Sequence, residues 1–198
     1  MNKPSHTVPP YIAILGWGSL LWDERHEFDK HHSPWELDGP ELRIEFSRVS
    51  QSRCGALTLV IDPPNGATCR VAHTKSKRRN PEDAICDLRS REGTTRSNIG
   101  FYFADGSRHQ FVTKDTDTIT SIQAWAAAKS IDVVVWTALP SNFDEVCGHP
   151  FSVEHALEHV RALDPAAKSG AAEYVWRAPA FVNTPLRVAL QSQPWFNQ

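Results

Sequence analysis

Hydrophobic and polar positions alternate between two periods along this chain, and the switches between them outline its elements. Tyr11 to Leu15 is a compact apolar run that ends in Gly16-Trp17-Gly18, the pattern of a buried strand leaving into a tight loop. Leu42 to Phe46 alternates apolar with charged residues, Ala56 to Ile61 is rich in strand formers, and Thr68 to His73 resumes the alternation beyond Asp62-Pro63-Pro64-Asn65-Gly66. The last two runs, separated by that turn, predict a hairpin. Ile99 to Phe103 and His109 to Thr113 flank Asp105-Gly106 and predict another, and Ile131 to Ala138 reads as a core strand.

Helical stretches announce themselves through their caps. Asn80-Pro81-Glu82-Asp83 places an N-cap, a first-turn proline and two acids in the order that starts a helix, and Gly93 supplies its stop. A second helix is predicted over roughly Thr118 to Lys129, a third from Ser152 to about Leu163, and a last one after Thr184-Pro185. The polar stretch from Asp164 to Gly170 reads as a linker. Strands interspersed with helices predict an α+β fold in one domain spanning residues 1–198, with 1–10 as a loose arm and 164–198 as a C-terminal extension packed on the domain.

Composition narrows the function classes. A chain of 198 residues with 40% hydrophobic content builds a core without staples, and its four cysteines lack a C-x-x-C pair, which fits reduced thiols and a cytoplasmic location. The first ten residues lack the apolar run of a secretion signal, and no segment approaches the length of a membrane span. A net charge of -2 creates no global field toward nucleic acid or anionic lipid, and the basic run Lys75, Lys77, Arg78, Arg79 reads as a solvated connection. The expectation is no nucleic-acid partner and no membrane.

Two features carry chemistry. Glycines on either side of Trp17 allow backbone angles closed to other residues, so that the N–H groups of Gly18, Ser19 and Leu20 can converge on carboxylate or phosphate oxygens. The dinucleotide fingerprint fails at Leu21, and the nucleophile-elbow pattern fails because Leu20 and Leu21 replace its closing glycine. On the predicted helix after Pro81, Ile85, Leu88 and Glu92 share one face, so the apolar stripe facing the core is continued by a carboxylate. Burial and the negative helix end should both raise its pKa, as a general base requires. The plainer reading turns Glu92 outward to Arg89, Arg91 or Arg96 as an ordinary ion pair.

The string Gly16-Trp17-Gly18-Ser19-Leu20-Leu21-Trp22 resembles the G-Y-G-S-L-hydrophobic-W segment of gamma-glutamylcyclotransferases, above all the ChaC-like glutathione-degrading branch. Leu88, three residues, then Glu92-Gly93 resembles the L-x-x-x-E-G around the catalytic glutamate of the plant-type (AIG2-like) and small-enzyme branches, and Arg91-Glu92 resembles the R-E of the ChaC-like branch. The resemblance is close over about Tyr11 to Asp23 and Asp87 to Gly93, loose in the middle strands, and absent from the C-terminal half. It implies a small mixed β-barrel with helices packed around it, and a cofactor-independent lyase or acyltransferase that cyclises a gamma-glutamyl amide to 5-oxoproline. Glu92 would be the catalytic base and acid, and Gly16, Trp17, Gly18, Ser19 and Leu20 would bind the gamma-glutamyl substrate. Trp17 stands where the family has tyrosine, which removes a hydroxyl and keeps an aromatic wall.

Arg48 and Arg53 are candidates, from strand position, for steadying developing negative charge. A competing reading keeps the loop as a non-catalytic module that binds a small carboxylated ligand. His155 and His159, at i and i+4 with His149 nearby, have zinc-compatible spacing but lack the metalloprotease signature, and Ser19 has no partners singled out for a hydrolase triad. The expectation is therefore no metal and no cofactor.

Overall fold

The structure, a computed structural model, describes residues 8–196. The predicted N-terminal arm, residues 1–10, falls mostly outside the described residues. Among the described residues, eight strands and seven α-helices are interspersed, an α+β arrangement. Strand β1 (Ile12–Gly16) lies inside a five-stranded sheet of order β5-β1-β8-β6-β7, pairing in parallel with β8 (Val133–Thr137) and antiparallel with β5 (Ala72–Lys75). The predicted second hairpin forms the far edge from β6 (Ile99–Phe103) and a short β7 (His109–Gln110).

A separate three-stranded sheet has the order β3-β2-β4, with β2 running from Glu41 to Ser50, β3 from Ala56 to Ile61 and β4 from Ala67 to Arg70. Two expectations are corrected here. The closed small β-barrel is not formed among the described residues, where the strands lie in two sheets. The first predicted hairpin is also absent, because β3 and β4 flank β2 instead of pairing with each other. Ile44 is the pivot, facing Ile61 on one edge and Ala67 on the other. The turn between them crosses β2 so closely that a side chain at Gly66 would sit 2.7 Å from the Ile44 nitrogen, which leaves room only for glycine. After β4, Val71 alone carries the chain into β5 and the other sheet.

The continuous apolar runs of β1 and β8 follow from burial on both faces. Ile12 and Ile14 of β1, with Val133 and Val135 of β8, face one hydrophobic cluster shared with α2 (Pro81–Arg91) through Ala84, Ile85 and Leu88. Ala13 and Leu15, with Val134 and Trp136, face the larger cluster, which takes in the inner face of β2 and β3. Helices α3 (Thr116–Ala128) and α5 (Val153–Ala162) match the predicted helices within two residues at either end, α7 (Pro185–Gln191) starts where predicted, and all three pack on this larger core, while α1 (His26–Asp29) and α4 (Phe143–Cys147) are short helices the pattern does not announce. No helix among the described residues is long and apolar enough to cross a membrane.

The expected linker after Asp164 is instead the start of α6 (Pro165–Arg177). Asp164 caps it by accepting from the Ala167 N–H at 2.8 Å, and Pro165 occupies the first turn. Ala167, Ala171, Tyr174 and Val175 form its buried stripe. Those positions are i, i+4, i+7 and i+8, a helical signal masked by the polar residues between them.

Candidate functional site

The loop after β1 is shaped by a single 3-10 turn over Gly18–Leu21, entered through Trp17 in extended conformation. Gly18 has φ +61°, and a Cβ there would meet the Tyr174 hydroxyl at 2.8 Å, so both backbone angle and space demand glycine. At Gly16 a Cβ would strike the Trp35 ring at 2.5 Å. The turn is closed at its far end by the N–H groups of Trp22 and Asp23, which donate to Ser19 C=O at 3.3 and 2.9 Å.

Helix α2 begins as predicted, with the Asn80 side chain accepting from the Glu82 N–H at 3.1 Å. It ends in a Schellman arrangement: Thr94 N–H donates to Arg89 C=O at 3.2 Å and Gly93 N–H to Ser90 C=O at 3.2 Å, with Gly93 at φ +58°. Glu92 is the C-cap residue. The break in the helix thus lies beside the acid and fixes its direction.

A cavity of about 510 Å³ brings the two features together, lined by Trp17, Ser19 and Leu20 on one side and Glu92 with Gly93 on the other. Its size suits a small molecule. Gly16 and Gly18 do not line it; they shape the loop from behind. The Trp17 indole N–H donates to Leu59 C=O at 3.3 Å, which pins the aromatic wall to β3. Arg91, nearly buried, spans from α2 to the loop and donates to the backbone carbonyls of Ser19 at 3.2 Å and Asp23 at 2.9 Å. Loop and helix end are therefore held in fixed relation.

Of the three arginines expected as ion-pair partners, Glu92 pairs loosely with Arg91 and, among the described residues, with neither Arg89 nor Arg96. Its side chain is 19% exposed, its nearest cation is the Arg91 guanidinium at 3.8 Å, and among the described residues it accepts no hydrogen bond from the protein. Burial pushes its pKa up; the charges of Arg91 and Arg53 oppose this, and Asp23 adds to it. Asp23 behaves oppositely: burial would raise its pKa, but the Arg25 hydrogen bond and the charges of Arg91, Arg25 and Arg53 hold it below the usual range.

Both predicted arginines reach the cavity. Arg48 is anchored by donating to Pro140 C=O at 2.7 Å, and burial lowers its pKa. Arg53 lies 3.8 Å from the Asp23 carboxylate and 4.8 Å from the centre of the Tyr174 ring. Tyr174 is the site residue that the pattern missed, because its helix was read as linker. Burial pushes its hydroxyl up to about 12; the oxygen accepts from the Leu59 N–H at 3.4 Å and has the Ser19 hydroxyl as a hydrogen-bonding neighbour. The helical stripe of α6 was the signal that could have found it.

The rival constellations separate from this site. No histidine among the described residues lines the cavity, so none of them sets an imidazole beside Ser19 there. His159 is held by Gly55 C=O at 2.7 Å and by Cys147, and His155 by Pro150 C=O at 3.0 Å, while the His149 and His155 rings lie 4.0 Å apart. Of the basic run, Arg78 forms a two-pronged pair with Asp87, Lys77 donates to Lys30 C=O, and Lys75 lies over the Tyr11 ring. No family model, curated protein or solved structure matches this chain.

Proposed function

We propose that this chain is a gamma-glutamylcyclotransferase-type enzyme that converts a gamma-glutamyl amide or peptide into 5-oxoproline and a free amine without a cofactor. One observation carries the reading: a carboxylate with raised pKa that accepts no hydrogen bond among the described residues opens into the cavity walled by the Gly16–Leu20 loop. The motif resemblance at both segments supplies the reaction. Within that family reading the fold is a variant whose strands divide between two sheets.

In the reaction the substrate's α-amine attacks its own side-chain carbonyl. A carbon–nitrogen bond forms to close the lactam, and the amide carbon–nitrogen bond to the leaving amine breaks. Because both groups belong to one molecule, the main demand is a folded pose, where effective molarity is large. The substrate arrives as an ammonium, so Glu92 takes its proton and later delivers one to the departing nitrogen. A carboxylate lifted toward neutrality by burial suits both transfers. The backbone N–H of Ser19, on the cavity wall, with Arg48 and Arg53, steadies the substrate carboxylate and the charge on the carbonyl oxygen.

The test is 5-oxoproline release from a panel of gamma-glutamyl peptides and amines, compared between the native chain and Glu92→Gln. Release by the native chain, lost in a variant that still folds and binds substrate, is the expected result. Binding of a gamma-glutamyl ligand without release in either would instead identify a non-catalytic binding module. No release and no binding by the native chain would overturn both readings.

A further inference from the structure

Away from the cavity, a second group of polar side chains gathers over the outer edge of the five-stranded sheet. His73 on β5 exchanges both backbone hydrogen bonds with Glu36, His73 N–H to Glu36 C=O and Glu36 N–H to His73 C=O, each 2.8 Å. A pair of this kind points its two side chains to the same face. Asp38, two residues beyond Glu36 on an extended segment tied down by Gly39 N–H to Val71 C=O at 3.0 Å, returns to that face. Backbone pairing alone therefore collects one imidazole and two carboxylates.

The imidazole is anomalous. Its side chain is only 1% exposed, yet neither ring nitrogen has a hydrogen-bond partner among the described residues. Buried ring nitrogens are normally satisfied, so this one asks for an explanation. Nδ1 lies 3.3 Å from the Asp38 carboxylate and Nε2 lies 4.0 Å from that of Glu36, both outside hydrogen-bonding geometry. One donor atom from each of the three residues falls within 4.8 Å of the others.

We propose that Glu36, Asp38 and His73 form a binding site for one divalent transition-metal ion of the Zn²⁺ or Co²⁺ type. The donor set decides the class, since imidazole favours such ions over Mg²⁺ and Ca²⁺, and the two carboxylates supply charge. The rigid partner is the histidine, wedged against the Trp125 ring with centroids 4.9 Å apart. The carboxylates are more than half exposed and free to close the small remaining distance onto an ion. Lys129 pairs with Asp38 through Oδ2, which leaves Oδ1 turned toward His73, and Trp125 N–H donates to the Asp38 carbonyl at 2.8 Å. Such outer contacts orient a ligand before the ion arrives. With neutral His73, two carboxylates against one ammonium leave a net negative charge to attract the cation.

The ion would staple the segment around Glu36 to β5 and stabilise the fold by mass action. The experiment is calorimetric titration of the full chain with ZnCl2, paired with the visible absorption of added Co²⁺ and with thermal melting. Expected are one ion per chain and a melting temperature raised by zinc, with affinity lowered at least tenfold in Glu36→Gln. That position is exposed, so the variant should fold as the native chain does, and circular dichroism checks it. His73→Asn removes binding, and His149→Asn with His155→Asn leaves it intact. Absence of zinc binding, equal affinity in Glu36→Gln, or loss of binding through the His149 and His155 changes would each overturn the proposal.

Discussion

Two glutamates withdrawn from bulk water, Glu45 on β2 and Glu92 at the end of α2, have pKa values raised chiefly by burial, yet their surroundings differ in the respect that matters. Glu45 accepts from the Phe46 N–H at 2.7 Å and the Leu186 N–H at 3.2 Å, with the Thr184 side chain as a further partner. Leu186 lies in the first turn of α7, so this carboxyl group caps a helix from across the core. Its hydrogen-bonding capacity is consumed by structure. Glu92 has none of these partners and faces a cavity. Burial and a shifted pKa are common to both; spare bonding capacity beside open space is what sets Glu92 apart.

The largest expected effect separates the two by activity. Glu92→Gln should lower 5-oxoproline release by about 10²–10⁴-fold, the usual range for losing a general acid–base group. Glu45→Gln should leave the rate per folded molecule near native. An inactive but well-folded Glu45→Gln would break the contrast.

Stability should order the pair in reverse. Gln at position 45 turns one acceptor into a donor facing an N–H group, an unsatisfied contact costing about 1–3 kcal/mol. Chemical denaturation measures it. At position 92, a folded-state pKa above the unfolded value means that the folded chain holds more protons between the two, so stability falls as pH rises through that window. Above the window the ionised acid is a burden that glutamine removes. Glu92→Gln should therefore melt at or above the native temperature at pH 8, and a clear drop there would contradict the assignment of a spare, strained carboxylate.

Gly18→Ala sharpens the contrast from the loop side. An L-residue at φ +61° costs about 1–2 kcal/mol, and the new methyl also presses on the Tyr174 hydroxyl. Release should weaken through a raised KM, read in steady-state kinetics.

The smallest effect lies in the pH profile of kcat/KM. Its acid limb follows Glu92, so it should sit above the ordinary glutamate range. Arg53→Met removes a charge that lowers the Glu92 pKa and should move the limb to higher pH, whereas Asp23→Asn removes one that raises it and should move the limb to lower pH. Shifts in the same direction for both would mean that another group governs the limb.

Much of this was legible in the sequence because local chemistry dictated it. Asn80-Pro81 and Gly93 bracket α2 through caps that depend on a few neighbouring residues, and the side of the helix carrying Ile85 and Leu88 also fixes where Glu92 points. Sheet partnership was not legible. The alternation in residues 56–61 and 67–70 is that of strands in either arrangement, and the tight crossing at Gly66 chooses β2 as their shared neighbour. Within the site, strand-end and helix-face patterns pointed to Ser19, Leu20 and Glu92 and the motif resemblance added Trp17, while Gly16 and Gly18 shape the loop without lining the cavity. Tyr174 was missed because polar residues such as Lys168, Ser169 and Glu173 interrupt the apolar stripe of its helix.

That tyrosine also sets a timetable. Its hydroxyl meets the Leu59 amide across 115 residues of sequence, so the back wall of the cavity is missing until α6 has been synthesised and docked. A nascent chain that has already paired β1 with β5 still lacks this wall, so the complete cavity takes shape only after most of the polypeptide has left the ribosome.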